Sequence, residues 1–401
     1  MKVLLQNLGA VFALSIGLLP TVFAAPLIDP MDDAKHFAPP GASVLFWTPE
    51  QQVAGYRNYD KISPTRRIQA GDSILELPYA LQDLGDVKLK SDGDPMTVGE
   101  YFQKQSVAGL LVIKQGKIVY ERYGLGNTEA SVWTSFSVAK SVVSLLVGAA
   151  VQDGYIASLD EKVTDYVPRM KGSPYDQSSI RNIMQMSSGV KWNEDYADPN
   201  SDISSNWSTG GNAGPASLAT YVYLRRLPRE AEPGEKFNYN TAETNLVGDV
   251  LRAAIGNNLA TYLSHKIWQP YGMESDANWL LTEAAGGEFG GCCISATLRD
   301  YGRIGLFAMN NGRLKNGQQV LPETWMKDST EPSKGFKGYG FMWWLQEEGA
   351  YSASGIFGQG IYIDPGAEVV IAIHSARPNA SRPQDWKLQQ ALYEALVKAL
   401  P

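Results

Sequence analysis

"WTSFSVAKSVVSLLVGAAVQDGY", residues 133–155, decides how the rest of the chain is read. Apolar residues at 138, 139, 142, 143, 145, 146, 147, 149, 150 and 151 leave almost no polar face. A helix apolar all round is a buried helix. Thr134 and Ser135 are candidates to cap its start, and Gly154 follows its end. In its first turn stand Ser137 and Lys140. Residues three apart on a helix share a face, with Cβ atoms about 5–6 Å apart, so the amine can reach the hydroxyl. Lysine normally titrates near ~10.4, and burial can bring it down by several units. A neutral amine beside a serine is a general base, and the serine becomes a nucleophile. The helix N-terminus adds partial positive charge and free N–H donors where an oxyanion would form. The competing reading is a buried helix start whose lysine snorkels or pairs.

A serine and a lysine at this spacing are a weak signal alone. Ser188-Gly189-Val190-Lys191 repeats it, but in a glycine-interrupted loop with no helix to align the pair. Several other catalytic signatures are missing: there is no G-x-S-x-G elbow, no H-E-x-x-H, no Walker loop and no G-x-G-x-x-G. With His36, His265 and His374 as the whole supply of histidine, a Ser-His-Asp triad has one credible base, His374, at the end of a strand-like run.

Outside the opening stretch, the bulk numbers are those of a globular protein: 401 residues, 44% hydrophobic and 19% charged. A chain this long is expected to divide into two lobes or domains. A net charge of −7 disfavours a nucleic-acid role, which needs a basic face. Lys2 followed by "LGAVFALSIGLLPTVFA" reads as a signal peptide over 1–24, cleaved after Ala24; an uncut N-terminal anchor is the alternative. No later stretch is long and apolar enough to span a bilayer. The mature protein is therefore expected to be exported (periplasmic or secreted) without stable membrane insertion. Cys292 and Cys293 are adjacent and are expected to be packed, unbridged thiols. With histidines so scattered, no metal site is expected.

Residues 25 to about 100 read as irregular. "GLLVIKQGKIVYERYG" reads as a β-hairpin turning at Gln115-Gly116. Mostly helical patterns run from about 155 to 335, then β-rich stretches, "GYGFMWWLQ", "GIFGQGIYIDP" and "AEVVIAIHS", and a closing amphipathic helix. Strands near both ends with helices between imply one sheet built from both ends of the chain and an inserted helical lobe.

Several blocks, in order, resemble the serine β-lactamase and penicillin-binding superfamily. "SFSVAKSVVSLLVGAAVQDGYIASLDEKVTDYVP" is similar to its first motif. "SSIRNIMQMSSGVKW" is similar to its entry into the helical lobe, and "PGEKFNYNTAETNLVGDVLRAAIG" to the stretch carrying Tyr-x-Asn, with Tyr239 at the tyrosine position. The resemblance runs from about 105 to 395. It implies an α+β, β-lactamase/transpeptidase-like fold: a mostly antiparallel sheet flanked by helices, plus a helical lobe. The catalytic domain would span 101–401, its α/β lobe about 101–135 and 290–401 and its helical lobe about 136–289.

Two departures stand out. Thr241 occupies the Asn position of the second motif, and Ala353-Ser354-Gly355 stands where the third normally carries Lys or His. An anion site loses much affinity without its cation, so β-lactam recognition is not implied. The chain resembles more closely the 6-aminohexanoate-dimer hydrolases and related esterases, through "GIFGQGIYIDP" and through "WNEDYADPNSD", where Tyr196 matches a tyrosine that touches the substrate amide. That resemblance implies a small-molecule amide or ester substrate and no metal or organic cofactor. Ser137 would be the nucleophile, Lys140 its base and Tyr239 the general acid. The backbone N–H groups of Ser137 and Ile356 would form the oxyanion hole. Tyr196, Thr241, Ser354, Gly355 and Trp344 would contact substrate; loop packing for Tyr196 and core packing for Trp343 and Trp344 are the plainer alternatives. The rival functions are a β-lactamase or D-alanyl-D-alanine carboxypeptidase, and a non-catalytic receptor for cell-wall fragments.

Overall fold

Alternation inside one strand shows how the larger sheet is sandwiched. Along Val107–Lys114, Leu110 and Val112 enter one apolar cluster while Leu111 and Ile113 enter another. Successive side chains point to opposite faces, so this strand is covered on both sides. In the computed structural model, which describes residues 26–90, 95–209 and 216–401, it is paired on both edges. Lys117–Tyr123 lies on one side, completing the expected hairpin, with Gln115 and Gly116 both at positive φ in the turn. Val369–Ser375 lies on the other, followed by Gly360–Asp364, Tyr351–Ser354 and Trp344–Leu345, every pairing antiparallel. The sheet is thus assembled from two distant parts of the chain, 107–123 and 344–375.

The helix Leu298–Met309 covers one face. Gly302 and Gly305 let its backbone sit close: a Cβ at 302 would meet Ile113 and Leu111 methyls at 2.8 Å. The C-terminal helix Pro383–Ala399 and the short helix Val98–Lys104 cover the other face, through Leu392, Tyr393, Leu396, Tyr101 and Phe102.

A second antiparallel sheet has the order Thr65–Ile68, Ala277–Leu280, Ile294–Thr297, Val132–Thr134. Two of its strands depart from the sequence reading. Thr65–Ile68 lies in the segment expected to be irregular, and Ala277–Leu280 in the range expected to be helical lobe. "TRRI" has only Ile68 buried, so it shows no apolar alternation; cross-strand pairing with "ANWL" makes it a strand. "GYGFMWWLQ" contributes only Trp344–Leu345 as strand. The signal-peptide expectation falls on residues outside those described. Among the described residues no helix is long and apolar enough to cross a membrane.

The helix of the opening stretch spans Val138–Gln152, with every residue from Val138 to Ala150 buried. It packs with the helix Thr241–Ile255 in one apolar cluster that includes Val142, Leu146, Leu246 and Val250. Thr134 and Ser135 do not cap it. Its first turn follows Ser137, which makes no side-chain cap bond; the Ser135 hydroxyl donates to Phe136 O and accepts from Ile294 N. Those bonds occupy the Ser135 hydroxyl, so only its carbonyl meets the helix, accepting from Val138 N–H.

The cysteines also differ from expectation: Cys292 and Cys293 are joined to each other as a vicinal disulfide. Cys293 has a positive φ of 80.

Candidate active site

Three residues separate the strand Val132–Thr134 from the helix that starts at Val138, and the change of direction falls on Phe136 at φ 45. A left-handed backbone costs a non-glycine residue about 1–2 kcal/mol, and such strain persists where surroundings over-determine it. Here the Phe136 ring is held edge-on by Tyr56 at 4.9 Å and Phe357 at 5.0 Å. The turn presents Ser137 at the head of the helix with its hydroxyl free of capping duty.

Lys140 Nζ lies 2.9 Å from Ser137 Oγ, 3.0 Å from Thr241 Oγ1 and 2.8 Å from the Gly291 carbonyl oxygen. It is 1% exposed. Burial brings the amine down from its ordinary range to about 7, against the pull of the Glu194 carboxylate, which favours the charged form. An amine at that value is half neutral at physiological pH and can take a proton from the serine. Tyr239 closes the group. Lys140 Nζ sits 5.1 Å from its ring centroid, and its phenol interacts with the Ser137 side chain. Burial pushes that phenol well above its ordinary value, Ser137 pulls it down and Glu194 adds to the rise. The phenol is therefore still protonated at the pH where Lys140 becomes neutral, and can give a proton.

A cleft of about 1180 Å³ opens beside these groups, lined among others by Glu194, Tyr196, Tyr239, Trp344, Ser354 and Ile356. Trp344 stacks on Tyr239 at 5.5 Å, with Tyr339 edge-on to both. Its neighbour Trp343 is fully buried in the core, so the two tryptophans divide the two roles open to them. Ser354 ends the strand Tyr351–Ser354, and Gly355 packs on the Ser135 carbonyl, where a Cβ would come within 2.6 Å. Among the described residues, neither Ser137 N–H nor Ile356 N–H has an intramolecular acceptor, the state expected of oxyanion donors.

Thr241 is placed otherwise than expected, while Tyr196 and His374 each fall within alternatives that the sequence left open. Thr241 is 3% exposed and faces Lys140, not the cleft. The Tyr196 hydroxyl, expected on substrate, donates to Glu194 Oε1 at 2.8 Å while the residue lines the cleft. His374 is buried between Trp133 and Tyr301, with burial holding it down at about 3; it is a core histidine far from base duty. The second Ser-x-x-Lys also falls away: Ser188 is buried against Glu243, while Lys191 faces solvent near Glu230.

Sequence reasoning missed Glu194 and the Gly291 carbonyl. Glu194 accepts from Trp192 Nε1, Tyr196 OH, Thr241 N–H and Thr241 Oγ1. Its Thr241 partners are 47 residues away, so no local spacing could mark it; the one available signal was its place two residues before Tyr196.

A buried serine–lysine pair at the head of a central helix, a tyrosine over the amine and a flanking antiparallel sheet define the serine β-lactamase-like class of hydrolase folds. Residues 97–394 match the Beta-lactamase family, and the chain belongs to it. It is 28% identical to the 6-aminohexanoate-dimer hydrolase of Paenarthrobacter ureafaciens over 310 residues, 72% of this chain and 78% of that protein. A solved structure from Bacillus anthracis, described as a candidate 6-aminohexanoate-dimer hydrolase, superposes with TM-score 0.79 at 25% identity, covering 88% of this chain and 95% of that one. A family VIII carboxylesterase shares the fold at TM-score 0.55 and 15% identity, over 74% of this chain and 95% of its own.

Proposed function

We propose that this protein is an exported serine hydrolase that cleaves short amide or ester bonds through an acyl-enzyme on Ser137. The observation that carries the reading is the 2.9 Å approach of a buried amine, poised at about 7, to the Ser137 hydroxyl. Ser137 Oγ attacks the acyl carbon as its proton passes to Lys140, and the carbonyl π pair moves onto oxygen, facing the N–H groups of Ser137 and Ile356. The tetrahedral intermediate then expels the amine or alcohol, which receives a proton from Tyr239, itself resupplied through Lys140. Water, activated by the same amine, attacks the ester and frees Ser137.

The cleft suits substrates that extend beyond the scissile bond. Its catalytic end is walled by Tyr196, Tyr239, Trp344 and Ile356, and ligand pockets are apolar with few polar anchors. The similarity to the Paenarthrobacter enzyme favours linear aminohexanoate amides, and the shared esterase fold makes simple esters the natural first probes. The strand Tyr351–Ser354 offers Ala353 and Ser354 where a cation would be needed for a β-lactam carboxylate, which disfavours the β-lactamase reading.

The test is a panel of p-nitrophenyl butyrate, linear aminohexanoate dimer and nitrocefin, run on wild type and Ser137→Ala with intact-protein mass spectrometry. An acyl adduct on wild type, and loss of turnover in Ser137→Ala, are expected. Undiminished hydrolysis by Ser137→Ala would refute the reading; nitrocefin as the best substrate would move it to β-lactamase, and a permanent adduct without product to a receptor. Export is tested by the mass of the secreted protein, which should begin at Ala25.

A further inference from the structure

We propose that Glu194 is a positioning residue for the general base: by accepting the hydrogen bond of the Thr241 hydroxyl it leaves the Thr241 oxygen an acceptor for Lys140, and so aims the lone pair of the amine at Ser137. The inference rests on the serine-hydrolase reading above and assigns a role to a carboxylate that reading does not use.

Glu194 Oε1 and Oε2 meet four donors: the Trp192 indole, the Tyr196 phenol, the Thr241 backbone N–H and the Thr241 hydroxyl. An ionised carboxylate only accepts, and four donors converging on two oxygens fit that state. The carboxylate also sits at the N-terminus of the helix Thr241–Ile255, where negative charge is favoured. Thr241 has one hydroxyl proton, and it is donated to Glu194. The oxygen can then meet Lys140 Nζ, 3.0 Å away, only as acceptor. The Gly291 carbonyl, at 2.8 Å, is an acceptor in any case. A neutral amine has two N–H bonds, and these two partners use both. The remaining direction is the lone pair, and Ser137 Oγ occupies it at 2.9 Å. When the serine O–H bond breaks and the new N–H bond forms, the resulting ammonium has a partner in each of its three directions. Were the Thr241 hydroxyl free to turn, it could donate to the lone pair and block the base.

The titratable groups that bear on Lys140 are Glu194 from the loop and the Tyr239 phenol under it. Glu243, on the Thr241 helix, is buried against Ser188 and bears on Glu194; burial pushes it up to about 8. Removing the Glu194 charge therefore takes away the group that favours the protonated amine, and the amine becomes neutral at lower pH.

The experiment compares wild type, Glu194→Gln, Thr241→Val, Thr241→Ser and the Glu194→Gln/Thr241→Val double variant. It follows p-nitrophenyl butyrate hydrolysis across pH 5–10 and fluorophosphonate labelling of Ser137. Glu194→Gln and Thr241→Val should each lose about 10- to 100-fold in kcat with KM held within about threefold. The acid limb of Glu194→Gln should move down by about 1 pH unit. The double variant should be no worse than the weaker single, because both cut one chain, and Thr241→Ser should recover most of the Thr241→Val loss. A Glu194→Gln enzyme with wild-type kcat and acid limb, or losses that multiply in the double variant, would overturn the inference alone. Should Glu194→Gln fail to fold, Thr241→Val tests the same chain from within the helix, and wild-type kcat there overturns it equally. Wild type that does not label at Ser137 would overturn the hydrolase reading itself.

Discussion

Lys140 Nζ and Ser137 Oγ stand 2.9 Å apart, one helical turn from each other, in a helix whose first thirteen residues are all buried. The contact is therefore between a hydroxyl and an amine that water does not readily solvate. Deleting either member should be severe: Ser137→Ala and Lys140→Met are each expected to cost at least about 10³-fold in kcat/KM for p-nitrophenyl butyrate. Activity in Lys140→Met within tenfold of wild type would show that another group deprotonates the serine.

The pH profile should carry the same information. The base is competent when Lys140 is neutral, so kcat/KM should rise with pH through about 7 and level off above it. Because burial holds the Tyr239 phenol well above its ordinary value, no alkaline fall is expected up to about pH 10, the ordinary phenol value. A bell centred below 7 would contradict the assignment.

Tyr239→Phe removes a proton donor and leaves the wall stacked on Trp344. A p-nitrophenolate departs without help, whereas an amine must be protonated to leave. The variant should lose about 10²-fold or more on the aminohexanoate dimer and less than about tenfold on p-nitrophenyl butyrate. Equal losses on both would place the tyrosine in the acylation geometry instead of proton delivery.

Gly355→Ala tests the approach of the third-motif strand to the serine turn. The added methyl would meet the Ser135 carbonyl at 2.6 Å and the Gln359 amide oxygen at 2.8 Å, and backbone must move to make room. The shift reaches Ile356, the next residue. A loss of about 10²-fold in kcat, the scale of one oxyanion donor, is expected with KM little changed. Full activity in this variant would remove Ile356 from the oxyanion hole.

His374→Phe addresses the remaining base candidate. His374 packs between Trp133 and Tyr301 and is held neutral by burial, down at about 3. Activity should stay within about threefold. Below the ordinary value of about 6.5 the unfolded chain binds a proton that the folded chain refuses, so stability falls as pH drops from there toward 3. The slope is about 1.4 kcal/mol per pH unit for one group. Urea melts between pH 6.5 and 4 should show a shallower decline in His374→Phe; an unchanged slope would mean the imidazole protonates in the folded protein.

Much of this molecule was legible from local pattern. The all-round apolar run 138–151 declared a buried helix, and the Ser137–Lys140 spacing followed from helix geometry alone, since a turn brings i and i+3 together whatever surrounds them. The hairpin at Gln115-Gly116 and the closing helix were readable for the same reason: both depend on residues close in sequence. What depends on contacts between distant segments was not readable. "TRRI" becomes a strand only because "ANWL" pairs with it, two hundred residues on. Ser135 is drawn from capping by Ile294, and the Thr241 hydroxyl is turned from substrate by Lys140 and Glu194.

By itself, then, the sequence determined which residues carry reactive groups and which helix aligns the first pair, because those are matters of composition and of 3.6-residue periodicity. The tertiary structure alone decided the protonation states and the company they keep. Burial among Ser137, Thr241 and Gly291 brings the Lys140 amine down to about 7, and Glu194 acquires its two Thr241 donors only when the loop after Trp192 closes on the helix that begins at Thr241. Desolvation and hydrogen-bond direction are properties of an enclosed volume, and no single stretch of chain encloses one.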